Sequence, residues 1–252
     1  MLGSKPPFSP YSRINQVPLI NVRDCLICIF KKWGKPKSIR VDNGEPFGSS
    51  ISGVTTELAL WLIGYGIHVI WNKPSCPQQN GKVERNQSTS RRWSEILKCP
   101  NLEVAQKRLD EAAAIQRDYF PVSRLKNKTR KEVFEQLYTI QRPWDEQDFD
   151  PIRVYDFLKT KKYIRKVSSN RQITHFGYKP GIGAAYKGQY VSLRFEVIPK
   201  NQEEPTLSWL IYDSVGKFIK KIDASYLSKQ KLLNLNVMSK NDSTNLSCVC
   251  TT

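Results

Sequence analysis

Apolar residues between positions 22 and 33 recur every three or four: Val22, Cys25, Leu26, Ile29, Phe30 and Trp33 form one helical stripe, which Gly34 and Pro36 end. The β-branched run at 37–41 predicts a strand, closed by the turn dipeptide Asn43-Gly44. A helix is expected over 55–65, with Leu58, Trp61, Leu62 and Tyr65 on one face, and a strand over 67–71. Pro77 and Gly81 introduce a third helix. There Val83, Ser90, Trp93 and Leu97 share helical spacing, and Glu84, Ser88, Arg91 and Glu95 form a polar stripe. This alternation of helix and strand is the pattern of an α/β fold.

Further along, Leu102, Ala105, Leu109, Ala112 and Ala113 predict another helix, and Asn127-Lys128-Thr129-Arg130 opens one through Val133, Phe134 and Leu137. Residues 141–152, with Pro143, Pro151 and a run of acids, read as a linker. From 153 to 237 the period shortens to that of strands, as in Gln189-Tyr190-Val191-Ser192-Leu193-Arg194-Phe195, and a small β-barrel is expected. The ends carry little pattern: 1–20 reads as a disordered lead with one residual strand, and 238–252 as a disordered tail.

Charge narrows the function. A formal net charge of +17 exceeds what solubility requires and points to a polyanion, either nucleic acid or an anionic membrane surface. No apolar run has the length of a spanning helix or the form of a signal peptide, which favours DNA as partner and the cytoplasm as location. Residues 153–237 hold 16 Lys and Arg against 6 Asp and Glu, so +10 of the charge sits in the predicted barrel. Of the six cysteines, Cys25-x-x-Cys28 is a weak metal signal, since no second pair follows at finger-like spacing.

Two acids stand where chemistry can be done. Asp42 ends the first predicted strand, and Glu84 lies one turn into the third helix, beside Arg85 and on the stripe that carries Arg91. Carboxylates at a strand tip and on a helix, flanked by cations, suit Mg²⁺ shared with phosphate oxygens, and phosphoryl transfer is the matching reaction class. Lys73, Gln78, Gln79, Asn80, Lys82, Arg85, Arg91 and Arg92 are the candidate DNA contacts around them.

The wording of this region resembles the second half of the integrase core shared by insertion-sequence transposases and retroviral integrases. The resemblance rests on Trp33-Gly34-Lys35-Pro36, Arg40-Val41-Asp42-Asn43-Gly44, Pro46-Phe47, Gly66-Ile67 and Pro77-Gln78-Gln79-Asn80-Gly81-Lys82-Val83-Glu84-Arg85. It implies that Asp42 and Glu84 match the second and third acids of an Asp-Asp-Glu triad. The 41 residues between them exceed the commonest spacing, and the segment Gly53 to Ile63 resembles an extended form found in one group of bacterial transposases. Tyr186-Lys187-Gly188-Gln189-Tyr190-Val191 and Asp213-x-x-Gly216 are similar to the family's C-terminal barrel. Arg130 stands where the family has the proline of a Thr-Pro helix start.

The resemblance implies a partial ribonuclease H-like core over 21–140, the strand and helix back half of that fold, followed by helices and the barrel. The family's first acid lies upstream of a Tyr-Ser-Arg-like segment, and here Tyr11-Ser12-Arg13 stands near Met1. The expectation is therefore a truncated transposase that binds DNA and is inactive alone, its metal pair under-neutralised. The alternative is a non-catalytic basic DNA-binding protein derived from one. Strand transfer at two DNA ends would add a homo-oligomer of at least two copies.

Overall fold

The computed structural model describes residues 22–44, 46–49, 54–79, 81–201 and 203–235. In chain order the elements are α1 (Val22–Trp33), β1 (Ser38–Val41), β2 (Gly48–Ser49), β3 (Val54–Thr55), α2 (Glu57–Gly64) and β4 (His68–Trp71). Next come α3 (Gly81–Ser94), α4 (Leu102–Ala114), α5 (Arg130–Val133) and α6 (Pro151–Lys159). The chain goes on through β5 (Tyr163–Lys166), β6 (Tyr190–Lys200), β7 (Glu203–Tyr212), β8 (Phe218–Asp223) and α7 (Lys229–Leu233). Among the described residues no helix is long and apolar enough to cross a membrane.

The chain divides into two compact units. One gathers α1 with the segment Ser75–Pro143 and is helical. Its α3 packs on α4, with Ser94 buried. Ser94 Oγ donates to the Ser90 carbonyl at 2.7 Å, a competing local bond, and Glu95 in the left-handed region stops the helix. Asn101 caps α4 by accepting from the Val104 amide at 2.9 Å. After α4 the chain widens into a π turn over Ile115–Tyr119. Arg117 there lies over Trp33, 5.0 Å from the ring centroid. The exposed Val83 and Leu97 show that the apolar stripe expected on α3 is not a buried face.

The other unit joins Lys35–Pro74 to Trp144–Val237. β1 and β4 pair in parallel, Ser38 opposite His68 and Val41 opposite Trp71, with α2 as the crossover. Leu58, Ala59, Leu60, Trp61, Leu62 and Gly64 are all buried, so α2 is covered all round and not on one face as its pattern suggests. It is covered by β4, α6 and α7. Phe149, 3% exposed, meets Tyr65 with ring centroids 5.3 Å apart, and Trp144 meets the same ring at 4.4 Å. Within the stretch read as a linker, Trp144 and Phe149 thus pack on α2's end.

The four-stranded sheet is antiparallel, in the order β5-β6-β7-β8. The expected barrel is not what forms: β5 and β8 are edges and no closed barrel is seen among the described residues. The physical reason is α6, started by the Asp150 cap and Pro151, which packs on β6 at the sheet's inner face, where Tyr155 meets Phe195 with ring centroids 6.0 Å apart. With that face covered by a helix, the sheet has no need to close upon itself.

Candidate nucleic-acid interface

The first group of predicted residues sits at the carboxyl ends of β1 and β4. Asp42 follows β1 and is exposed, and the buried Asn72 follows β4. Parallel register brings them level, and Asn72 Nδ2 donates to Asp42 Oδ1 at 2.7 Å. The Asn72 amide continues the ladder to the Val41 carbonyl at 2.9 Å, and Asn43 Nδ2 donates back to the Asn72 carbonyl at 2.6 Å. Asp42 is therefore held at the rim where parallel sheets present side chains to ligands. Lys73 stands exposed beside Asn72 in sequence.

The second group lies in the helical unit. Glu84 is exposed in the first turn of α3, and Arg91 and Arg92 occupy the last, an arrangement that complements the helix dipole. Gln78 and Arg85 line an open cleft of about 650 Å³ with Asn86 and Trp93 from α3. Its other wall comes from the π turn and the loop into α5, which contribute Gln116, Phe120, Arg124 and Arg130. No carboxylate is among those lining residues.

The cleft is braced from beneath. Gln116 is 6% exposed and donates its amide to Ser90 Oγ at 3.3 Å, while Arg130 Nη1 donates to the Gln116 carbonyl. Thr129 and Glu132 close a capping box that fixes the backbone at Arg130. Asp118, the nearest acid in the π turn, is taken by Arg117 at 2.8 Å and by the Tyr138 hydroxyl. Hydrogen bonds from Arg117 and Tyr138 hold its carboxyl down to about 2, so it stays charged and engaged.

On the antiparallel sheet, cations and rings interleave. Lys166 lies over Tyr190 and Arg194 over Tyr212, at 6.0 and 5.2 Å from the ring centroids. Below them His175, 2% exposed, sits between Tyr163 and Trp209 with neither ring nitrogen hydrogen-bonded. Burial and the nearby Arg165 charge push it down to about 3, so it is a neutral core residue.

Asp42 with Lys73 belongs to one unit, and Gln78, Gln79, Lys82, Glu84, Arg85, Arg91 and Arg92 to the other. Of the DNA candidates the structure brings Gln78 and Arg85 into one cleft; Asn80 lies outside the described residues. Sequence reasoning missed Asn72, Arg124 and Arg130. Asn72 could have been found by aligning the ends of the two parallel strands, whereas Arg124 and Arg130 carry no periodic signal. Among the described residues no group of three or more His, Cys, Asp or Glu is placed to hold a metal ion. The exposed Asp42, with one oxygen engaged by Asn72, fits the mode in which Mg²⁺ takes one or two carboxylates and fills its shell with water and phosphate oxygens. No protein-family model matches the chain.

Proposed function

We propose that this chain is a DNA-binding protein of the Asp-Asp-Glu transposase and integrase class. The observation that carries the reading is the α3 cleft, which three arginines and no carboxylate line, in a chain of net charge +17. Arginine forks meet phosphate oxygens in pairs, and such contacts position a protein on DNA without reading its sequence. The motif resemblance around Asp42 and Glu84 supplies the class, including the partial ribonuclease H-like core. The basic sheet adds a second surface for the same polyanion.

The test is labelled duplex DNA titrated with the full chain across a salt series. With roughly five phosphates neutralised, log K falls against log salt with a slope of about −4 to −5. Binding that is absent or indifferent to salt overturns the reading.

A second reading, metal-dependent strand transfer, is favoured by the Asn72 clamp on Asp42. On the motif resemblance Asp42 and Glu84 are each candidate metal ligands, and Mg²⁺ or Mn²⁺ would supply neutralisation of phosphate charge. Nicking of the duplex that requires either ion and is abolished by Glu84→Gln supports this reading. Absence of nicking with both ions leaves DNA binding as the activity. Two copies of the chain on one DNA, read from the mass of the complex, belong to the strand-transfer reading.

A further inference from the structure

A cleft that only gripped a DNA backbone would need cations and little else. This one also has an aromatic end: Trp93 and Phe120 meet edge to face with centroids 5.0 Å apart, and Phe120 is 45% exposed. Arg124 and Arg85 are exposed on the cleft walls, Arg130 is fixed by the Gln116 carbonyl, and Asn86 offers an amide. The volume of about 650 Å³ is of the size that encloses a small organic ligand. A flat π-bearing body carrying one or two phosphates matches both ends at once.

We infer that this cleft binds a single unpaired nucleotide, its base against Trp93 and Phe120 and its phosphate among Arg85, Arg124 and Arg130. Duplex DNA keeps its bases stacked inside, so the occupant is a nucleotide outside a duplex: an overhanging or extruded position in a strand, or a free mononucleotide. Base stacking on aromatic side chains tolerates any base, so the cleft does not select sequence. The inference rests on the nucleic-acid reading above but not on any metal chemistry.

The test compares three probes on the full chain: a labelled oligothymidylate, the same strand with abasic sites, and blunt duplex DNA. The base-bearing strand is expected to bind about tenfold more tightly than the abasic one. Trp93→Ala should remove that difference, and Trp93→Phe should keep most of it. Arg124→Gln, at an exposed position, should weaken both single strands by a similar factor. Circular dichroism of each variant confirms folding, and if Trp93→Ala unfolds, the exposed Phe120→Ala replaces it with the same expectation. Thymidine monophosphate as competitor separates the sources: displacement of the strand means a free nucleotide suffices, and no displacement means the nucleotide must belong to a strand. Equal binding of base-bearing and abasic strands by the native chain overturns the inference while duplex binding still upholds DNA recognition. Loss of duplex binding with the base preference intact has the opposite meaning.

Discussion

The side-chain amide of Asn72 reaches across from the end of β4 to the carboxylate of Asp42 at the end of β1, 2.7 Å away. This bond ties the one strand-tip acid of the parallel pair to a buried group, and it makes the first prediction. Asn72→Ala should cost about 1–3 kcal/mol of stability, since it removes a hydrogen bond to a charged acceptor from a buried donor. Asp42→Asn should cost less, because its amide oxygen still accepts. Urea titration of both variants measures the difference; an Asn72→Ala protein as stable as the native one refutes the clamp.

Gly64 makes the second. A Cβ there would stand 2.2 Å from the Phe149 ring, while the Gly64 carbonyl accepts from the Asp150 amide at 3.0 Å, so the helix end cannot easily move away. Gly64→Ala is expected to destabilise by about 1–3 kcal/mol through overpacking, despite alanine's better helix propensity. Adding Phe149→Leu should recover part of the loss. Additive losses in the double variant, read by thermal melting, would show that the ring is not the obstacle.

His175 predicts a pH dependence. Its folded-state value of about 3 lies below the ordinary 6.5, so between the two the unfolded chain binds the extra proton. Stability from this residue is then fully present above about pH 6.5 and lost as pH falls toward 3, with a slope approaching about 1.4 kcal/mol per unit. His175→Phe should flatten that limb. The loss that remains should set in below about pH 4.5, where Glu95, Glu132 and Asp118, all held down by hydrogen bonds in the fold, take up protons on unfolding. An unchanged slope in His175→Phe would show that the ring takes its proton inside the fold.

The basic sheet gives a fourth expectation. If Lys166 and Arg194 each neutralise a phosphate, changing both to Gln should reduce the salt slope of DNA binding by about 2. The tyrosines beneath them would remain, so the fold should not respond. A slope that does not change would place the phosphate contacts elsewhere.

Local periodicity carried the sequence reading where an element's partners are near in the chain. The stripe from Val22 to Trp33 coincides with α1, and the runs at 37–41 and 67–71 become the paired β1 and β4. It failed where contacts are distant. Leu60 and Ala59 look like the outer face of α2 because the elements that cover them, α6 and α7, begin more than 80 residues later. Trp144 and Phe149 sit among prolines and acids with no period at all, so their packing on Tyr65 was invisible. The cleft was half legible for the same reason: Gln78 and Arg85 belong to a recognisable motif, and Arg124 and Arg130 reach it only through the path of the chain after the π turn.

The unit that contains β1, α2 and β4 is interrupted between Pro74 and Trp144, and this sets an order of events on the ribosome. α2 is made early, yet its covering helices leave the exit tunnel only after the whole helical insertion has been synthesised. At about 5–20 residues per second that delay amounts to several seconds, during which only β4 of the covering elements has been made and the faces of α2 that α6 and α7 will cover stay open. Newly made chains of this protein should therefore engage holding chaperones through Leu58 to Leu62 until α6 arrives, and a ribosome stalled before residue 150 should display that segment to added protease.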